Sequence, residues 1–489
     1  MLAAYDLEAG GHLLVAGDAG SGRSSLLRAL AVSAARALPP ADLHCYVLDG
    51  GNGALSALEL LPHCGAVVSR LEPERVERLL GRLADEVARR HQALALGGFA
   101  SLQEARAAGG PGGDLPYLLL LVDRYEGFLA AFDAHDGGRL VSALLQLLRD
   151  GPSAGLRVVL AGDRSVLAGR LPSLAETTVV LRLNDRTGYA LAGLDAASLP
   201  EPLPPGRGVR VPSGAELQVA LLAGDPSGPA QAAAVTRLGR ELARACREAG
   251  VAGTTLPEPI GALPSVVALS RLGPGAGSGL LVGVGGDHVL PLRVPLEDRG
   301  GFLVVGPARS GRSNTLAVLA RSLLAAGRPV VVLAPRPSPL ASLAGAPGVT
   351  VLAGRDLAGD GAVAVLDGLP AGAAVLVDDA NLLDPSGLTE AVARCARSAA
   401  DTGHLVVAAA PPPEAAVALR GLLPELRRAR AGVVLCPQAP TDGEALGVRL
   451  PHSLLAAGPP GRAVLAVDGL LTPLQVPLDD WQAAEAARR

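Results

Sequence analysis

The chain repeats itself, and that repeat limits the folds open to it more than any other feature. DLEAGGHLLVAGDAGSGRSSLL (Asp6–Leu27) returns as PLEDRGGFLVVGPARSGRSNTL (Pro295–Leu316). LRLNDRTGYALAGL (Leu181–Leu194) returns as LCPQAPTDGEALGV (Leu435–Val448), PPGRGVRV (Pro204–Val211) as PPGRAVLA (Pro459–Ala466), and ELQVAL (Glu216–Leu221) as PLQVPL (Pro473–Leu478). Segments matched in the same order in both halves imply two homologous domains. The 489 residues are too many for one ordinary domain and suit this count. The first domain is expected over 1–224 and the second over 279–489, with a linker over 225–278. That linker pairs a helical stretch, Val235–Gly250, with a Gly/Pro-rich run that reads as loop. LLVGVGGDHVLPLRV (Leu280–Val294) reads as a hairpin opening the second domain. The second domain is the shorter, mostly between its glycine-rich loop and its acidic strand.

Within each domain short apolar runs alternate with helical patterns. In the first these are HLLVAG, a helix from Ser24, LHCYVLD, a helix over Pro73–Leu94, YLLLLVD, a helix to Leu148, LRVVLAG and TVVLRL. Pro73 at the first helical position, with Glu72 and Glu74 beside it, suits a helix start. The order implies an α/β fold, a mostly parallel sheet flanked by helices on both faces.

The chemistry lies in the two glycine-rich loops. The pattern G-x-x-x-x-G-K-[ST] cradles phosphates, and both copies approximate it between an apolar strand and a helix. The first reads Gly17, Asp18, Ala19, Gly20, Ser21, Gly22, Arg23, Ser24; the second reads Gly306, Pro307, Ala308, Arg309, Ser310, Gly311, Arg312, Ser313. Glycines let several backbone N–H groups converge on one phosphate, and the helix N-terminus adds its positive dipole end. These sixteen residues are the expected ATP-binding set. Ser24 and Ser313, with Asp123 and Asp378 at the ends of the acidic strands, are the expected Mg²⁺ ligands. The bland alternatives are a glycine turn before a helix and an Asp ending a buried strand.

Three departures weaken the expectation of catalysis. Arg23 and Arg312 stand where Lys places a compact charge between phosphates. A hydrolytic site usually carries Glu directly after the strand-end Asp to polarise water. Arg124 stands there in the first domain and Asp379, one methylene shorter, in the second, which leaves Asp379 as the one weak catalytic candidate. Glu126, two residues further on, needs an unusual path to reach the water. Where a Thr or Asn sensor often contacts the terminal phosphate, LAGDR offers Gly162 and VVAAAP (Val406–Pro411) offers Ala.

Composition tempers one of these departures. All 43 basic residues are Arg, and Ile occurs only at Ile260. Residues with AT-rich codons are depleted together, so Arg for Lys is partly mutational drift. That bias explains neither the missing Glu nor the missing sensor. With 49% hydrophobic but 2% aromatic residues, the cores must be aliphatic. A net charge of −4 lacks the basic footprint of a dedicated nucleic-acid binder. Cys45, Cys64, Cys246, Cys395 and Cys436 show no C-x-x-C or zinc spacing. The His44-Cys45 and His63-Cys64 pairs read as strand and loop residues rather than metal ligands. No apolar run reaches the ~18–20 residues a bilayer span needs, and no basic-then-apolar leader opens the chain. A reduced, cytoplasmic chain is expected. Association with the inner face of the membrane, through a partner or a missing N-terminal region, stays open.

With these residues in view, the chain resembles the FtsK/SpoIIIE superfamily of P-loop ATPases. GGHLLVAGDAGSGRS, GGFLVVGPARSGRS and LRVVLAGDRS carry the likeness. Tyr46–Val76 and Arg427–Pro451, followed by PPGR, resemble the second and third ATPase domains of actinobacterial EccC-type, type VII secretion motors. The large FtsK-like proteins that carry a forkhead-associated domain are also similar. The resemblance implies two tandem RecA/FtsK-like P-loop domains that bind ATP and Mg²⁺. It also implies partnership with FtsK-like motor subunits in a homo- or hetero-oligomer, and capture of a substrate protein or signal peptide. Such proteins usually carry a membrane segment and a catalytically better first ATPase domain ahead of this part. The expected function is a regulatory or substrate-engaging ATP-binding module with degenerate catalytic sites. An active DNA translocase and a peptide-binding adaptor without nucleotide are the alternatives. Arg207 and Arg462, in the matched PPGR turns, read as solvated turn residues or as groups facing a neighbouring subunit's nucleotide.

Overall fold

The computed structural model describes residues 4–196, 199, 203–272, 279–295, 299–383, 387–455 and 458–479. Parts of the Gly/Pro-rich run (273–278), of the second repeat opening (296–298) and of the C-terminal stretch (from 480) lie outside the described residues. The chain divides into two compact units, Met1–Ile260 and Gly261–Arg489.

The first unit opens with β1 (Leu13–Ala16), α1 (Arg23–Ala37), β2 (Leu43–Asp49), β3 (Cys64–Ser69), α2 (Pro73–Gly97) and α3 (Leu102–Ala108). It continues through β4 (Tyr117–Asp123), α4 (Tyr125–Phe132), α5 (Arg139–Asp150), β5 (Leu156–Gly162), β6 (Thr177–Leu181) and α6 (Arg186–Leu191). The hairpin β7 (Arg207–Val211) and β8 (Ala215–Gln218), then α7 (Gly228–Glu248), complete it. The sheet order is β3-β2-β4-β5-β1-β6-β7-β8. Pairs from β3 to β6 are parallel, and the β7–β8 hairpin is antiparallel. β4 is buried along its whole length, as a strand covered on both faces must be. Its Leu118, Leu120 and Val122 enter the core on one face, while Leu119 and Leu121 enter the core on the other.

α7 belongs to this first unit rather than to a free linker. Val235 and Ala234 are buried, and Gln231 is held by Leu222 N and by the carbonyls of Ala223 and Asp225. The helix starts seven residues before the expected Val235, capped by Ser227 Oγ accepting from Ala230 N. The following segment also stays with this unit, since Arg75 donates to Ile260 O.

The second unit begins with the expected hairpin, β9 (Leu280–Gly285) and β10 (Leu290–Val294), which pair antiparallel. β11 (Gly301–Val305), α8 (Arg312–Ala325), β12 (Val330–Ala334), β13 (Val349–Ala353), α9 (Asp360–Asp367) and β14 (Ala374–Val377) follow. Then come α10 (Gly387–Arg397), α11 (Ala399–Thr402), β15 (Leu405–Ala410), α12 (Pro412–Val417), α13 (Leu422–Arg428), β16 (Ala431–Leu435), β17 (Arg462–Val467) and β18 (Leu470–Gln475). The order β10-β9-β18-β17-β16-β11-β15-β14-β12-β13 repeats the first sheet strand for strand, with β9 and β10 added at the edge. The repeat in sequence is thus a repeat in topology.

Candidate functional site

Both glycine-rich loops stand where β1 and β11 end and α1 and α8 begin. In the first, Gly17 N donates to Gly162 O and Asp18 N to Arg182 O, tying the loop to the ends of β5 and β6. Gly20 and Gly22 adopt φ of 73° and 107°, which favour glycine. In the second, Gly306 N donates to Ala410 O, and Gly311 sits at φ 104°. Arg309 takes φ 65° where the first loop has Gly20, a strain the second loop tolerates. A Cβ on Gly17 meets Ser21 Oγ at 2.4 Å, and one on Gly306 meets Ser310 Oγ at 2.5 Å. Ser21 Oγ and Ser310 Oγ are themselves buried with no hydrogen-bond partner. The backbone therefore closes into a cradle in each domain, with the polar interior that a phosphate group fits.

The PPGR turns complete these cradles. Gly206 N donates to Ser21 O (2.7 Å) and Gly461 N to Ser310 O (2.9 Å), so each turn leans on the loop of its own domain. Arg207 points back along its hairpin to Gln218 and Glu216. Arg462 donates to the carbonyls of Leu263 and Pro264. Beside the second loop a cleft of about 310 Å³ is lined by Arg309, Arg312, Ser313, Asn314, Pro460 and Leu478, among others.

The expected metal ligands meet in pairs. Ser24 Oγ donates to Asp123 Oδ2 (2.7 Å), and Ser313 Oγ to Asp378 Oδ2 (2.8 Å). Asp378 Oδ2 also accepts from Ser338 Oγ (2.6 Å), and its Oδ1 is buried without a partner. Burial raises the Asp123 pKa, and nearby Asp49 raises it further, against the lowering by the Ser24 hydrogen bond. Asp49 lies beside Asp123 in register, is buried, and leaves Oδ2 unpartnered. Buried carboxylate oxygens without donors, Asp49 Oδ2 beside the first pair and Asp378 Oδ1 in the second, are what a divalent cation satisfies, so both sites fit Mg²⁺. Sequence reading missed Asp49. Its signal was an Asp ending an apolar strand, the same signal that marked Asp123.

The arginines and acids differ most from expectation. Arg23 is 7% exposed and grips Glu126 with both Nη atoms, at 3.0 and 3.3 Å. Glu126 Oε2 also accepts from Asp163 N (3.2 Å), at the end of β5. Glu126 is thus brought to the loop arginine, a contact that sequence reading did not anticipate. Arg124, directly after Asp123, turns left-handed at φ 52°, and α4 starts at once, carrying Glu126 back over the loop. A Cβ on Gly162 would stand 3.3 Å from Glu126 Oε2 and 2.5 Å from Val166 Cγ1, so the residue at the sensor position leaves room for the carboxylate. In the second domain Arg312 Nη2 donates to Asp379 Oδ1 (2.7 Å) and Nη1 to Gly306 O (2.8 Å). Asp379 has the same left-handed turn, φ 47°, and also faces Arg336 Nε at 3.6 Å. The weak catalytic candidate is therefore an ion-pair partner of the loop arginine.

The cysteine and histidine pairs serve the fold. Cys45 and Cys64 are strand neighbours, while His44 and His63 each face a backbone carbonyl, of Thr255 and Leu38. Among the described residues, no cluster of three or more His, Cys, Asp or Glu could hold a metal ion, and no helix is long and apolar enough to cross a membrane.

Residues 2–164 match the FtsK/SpoIIIE family model. The ESX secretion system protein EccC of Thermomonospora curvata is 31% identical over 327 residues, covering 65% of this chain and 24% of that protein. The chain thus spans about a quarter of that relative's length. Among solved structures, ATPases 2 and 3 of EssC from Geobacillus thermodenitrificans share the fold with TM-score 0.71 and 22% identity, over 97% of this chain and 92% of that one. ATPases 2 and 3 of Thermomonospora curvata EccC, in complex with a signal sequence peptide, give 0.63 and 24%, over 97% and 89%. The likeness is not confined to actinobacteria, since Geobacillus supplies one of these structures.

Proposed function

We propose that this member of the FtsK/SpoIIIE superfamily of P-loop ATPases, a relative of the EccC and EssC type VII secretion ATPases, is an ATP-binding module of a secretion-type motor with little turnover of its own. One observation carries the reading. Each domain keeps its phosphate cradle and its Ser–Asp pair, while the nearest acid able to polarise water is ion-paired to the loop arginine. In this reading the N–H groups of Gly17–Ser24 and Gly306–Ser313 hold the phosphates. Ser24 with Asp123, and Ser313 with Asp378, hold Mg²⁺. When bound, Mg²⁺ neutralises charge on the phosphate oxygens. Glu126 and Asp379 have their carboxylate oxygens turned to arginine donors, so neither is placed to take a proton from an attacking water.

Substrate engagement belongs to the same proposal. The Thermomonospora relative carries a signal sequence peptide in its structure, and Val417 and Leu419 here are 71% and 89% exposed in the second domain. Calorimetry with Mg·ATP and a phosphate-release assay on the pure chain test the reading. Binding with negligible turnover is expected. Robust hydrolysis abolished by Asp123→Ala overturns it in favour of an enzyme. DNA-stimulated hydrolysis with steep salt dependence points instead to a translocase. Absence of nucleotide binding leaves a peptide-binding adaptor.

A further inference from the structure

Two domains that differ in sequence at this point arrive at the same contact by different routes. In the first domain the acid comes from the first turn of α4, three residues after Asp123. In the second it comes from the residue directly after Asp378. Both carboxylates end on the arginine that begins the helix after the loop. The contact is partly shielded: the exposures are 7% and 30% for Arg23 and Glu126, and 15% and 19% for Arg312 and Asp379. Arginine suits this role better than lysine, because its planar fork binds a carboxylate through two parallel hydrogen bonds, as Arg23 does. A carboxylate and a phosphate present the same chemistry to that fork, oxygen anions accepting from N–H. One arginine cannot serve both with its full donor set.

We propose that Glu126 and Asp379 are internal counter-anions that occupy the loop arginines in the nucleotide-free chain, so that nucleotide binds by displacing a carboxylate from Arg23 or Arg312. This rests on the nucleotide-binding reading above and deepens it. The two acids are positioning residues: they set where the guanidinium stands and how tightly phosphate is held. The two latches differ in strength. Glu126 makes a two-pronged contact and is anchored again by Asp163 N. Asp379 makes one bond to Arg312 and shares its other oxygen with exposed Arg336. The first site is therefore the more strongly self-competed, and the gain on removing its acid is the larger.

The test is Mg·ATP affinity in the intact chain by calorimetry, with the opposite site disabled by Asp378→Ala or Asp123→Ala. Glu126→Gln, isosteric and uncharged, is expected to tighten binding roughly five- to tenfold. Asp379→Asn should tighten it by less. Glu126→Asp, which keeps the charge but shortens the reach to Arg23 by one methylene, should tighten binding by less than Glu126→Gln. The Glu126→Gln gain must vanish in an Arg23→Ala background, because the competition runs through that guanidinium. Unchanged or weaker binding in Glu126→Gln overturns the latch while nucleotide binding stands. So does a gain that persists without Arg23, which would reflect general charge rather than competition. Absence of binding in the unaltered sites and in both acid variants overturns the nucleotide reading and the latch together.

Discussion

At the scale of single residues, the site works against the stability of its own fold. Asp123 is buried beside Asp49, and its pKa lies above the ordinary carboxylate value, first through burial. A raised folded pKa means the native chain holds that proton more tightly than the unfolded chain. The contribution is full below about pH 3.8, the ordinary value, and is lost as pH rises through the raised one. At neutral pH the charged Asp123 is thus a local cost. Asp123→Asn is expected to raise the melting temperature of the nucleotide-free chain by about 2–4 °C for each kcal/mol recovered. The same change should reduce Mg²⁺-dependent ATP binding by tenfold or more, on the order of 1.4 kcal/mol. Differential scanning fluorimetry with and without Mg·ATP reads both effects. A fall in melting temperature without ligand removes the claim that the charge is costly. His12 works in the opposite direction. Val158 N donates to its Nδ1 (3.0 Å), so the proton sits on Nε2, which donates to Leu148 O (2.8 Å). Burial holds its pKa below 6.5. The neutral ring's contribution is therefore present above about pH 6.5 and drains away as pH falls through the lowered value. Urea unfolding of the chain between pH 7 and 5 should show falling stability, and His12→Asn should remove up to one proton from the linked uptake. Equal slopes with and without His12 would contradict this assignment.

At the scale of elements, each phosphate loop is braced by the hairpin that closes its sheet. Gly206 stands at φ 81°, and a Cβ there would come within 2.7 Å of Gln218 Nε2; Gly461 stands at φ 83° with Gln475 Nε2 at 2.8 Å. Gly206→Ala is expected to cost about 1–2 kcal/mol through its left-handed backbone and to loosen the bond to Ser21 O. Weaker ATP binding should follow in the first domain. Gly214→Ala, also left-handed but open to solvent, should cost stability without touching ATP affinity. If the two variants affect ATP equally, the hairpin is not a brace. This brace was half legible in the sequence. The PPGR repeat was visible, but not that its backbone reaches the loop, because pairing between distant turns follows from strand order rather than local pattern. Strand–helix alternation, the two loops and the Ser–Asp partners were legible, since hydrophobic period and glycine placement encode them directly. The helix over Gly228–Glu248 was legible as a helix but not as part of the first unit, whose surface must exist before it can be covered. Glu126 was the main loss. Its route depends on Arg124 entering a left-handed conformation, which no residue preference announces.

At the scale of the whole chain, the same topology carries two Ser–Asp pairs in surroundings of unequal charge. Asp49 beside Asp123 has Ala334 as its counterpart at the end of β12, where register matches Leu333 to Val377 just before Asp378. Ser338 supplies a hydroxyl to Asp378 instead. The first site thus offers two buried carboxylates to a cation, and the second offers one. Two like charges that repel in the empty site are relieved together when a divalent ion arrives, so Mg²⁺ alone should matter more in the first domain. Hydrogen-exchange mass spectrometry on the intact chain tests this without nucleotide. Millimolar Mg²⁺ is expected to protect peptides covering Gly17–Ser24 and Asp49 more than those covering Gly306–Ser313. Asp49→Asn should abolish the difference while leaving the second loop unchanged. Equal protection of both loops, or a difference that survives Asp49→Asn, would mean that the second carboxylate is structural and that the two sites hold their cation alike. Under the proposed function, that asymmetry would give the two nucleotide sites different thresholds. The first would be governed by divalent cation and by the Glu126 latch, and the second would be the more readily filled.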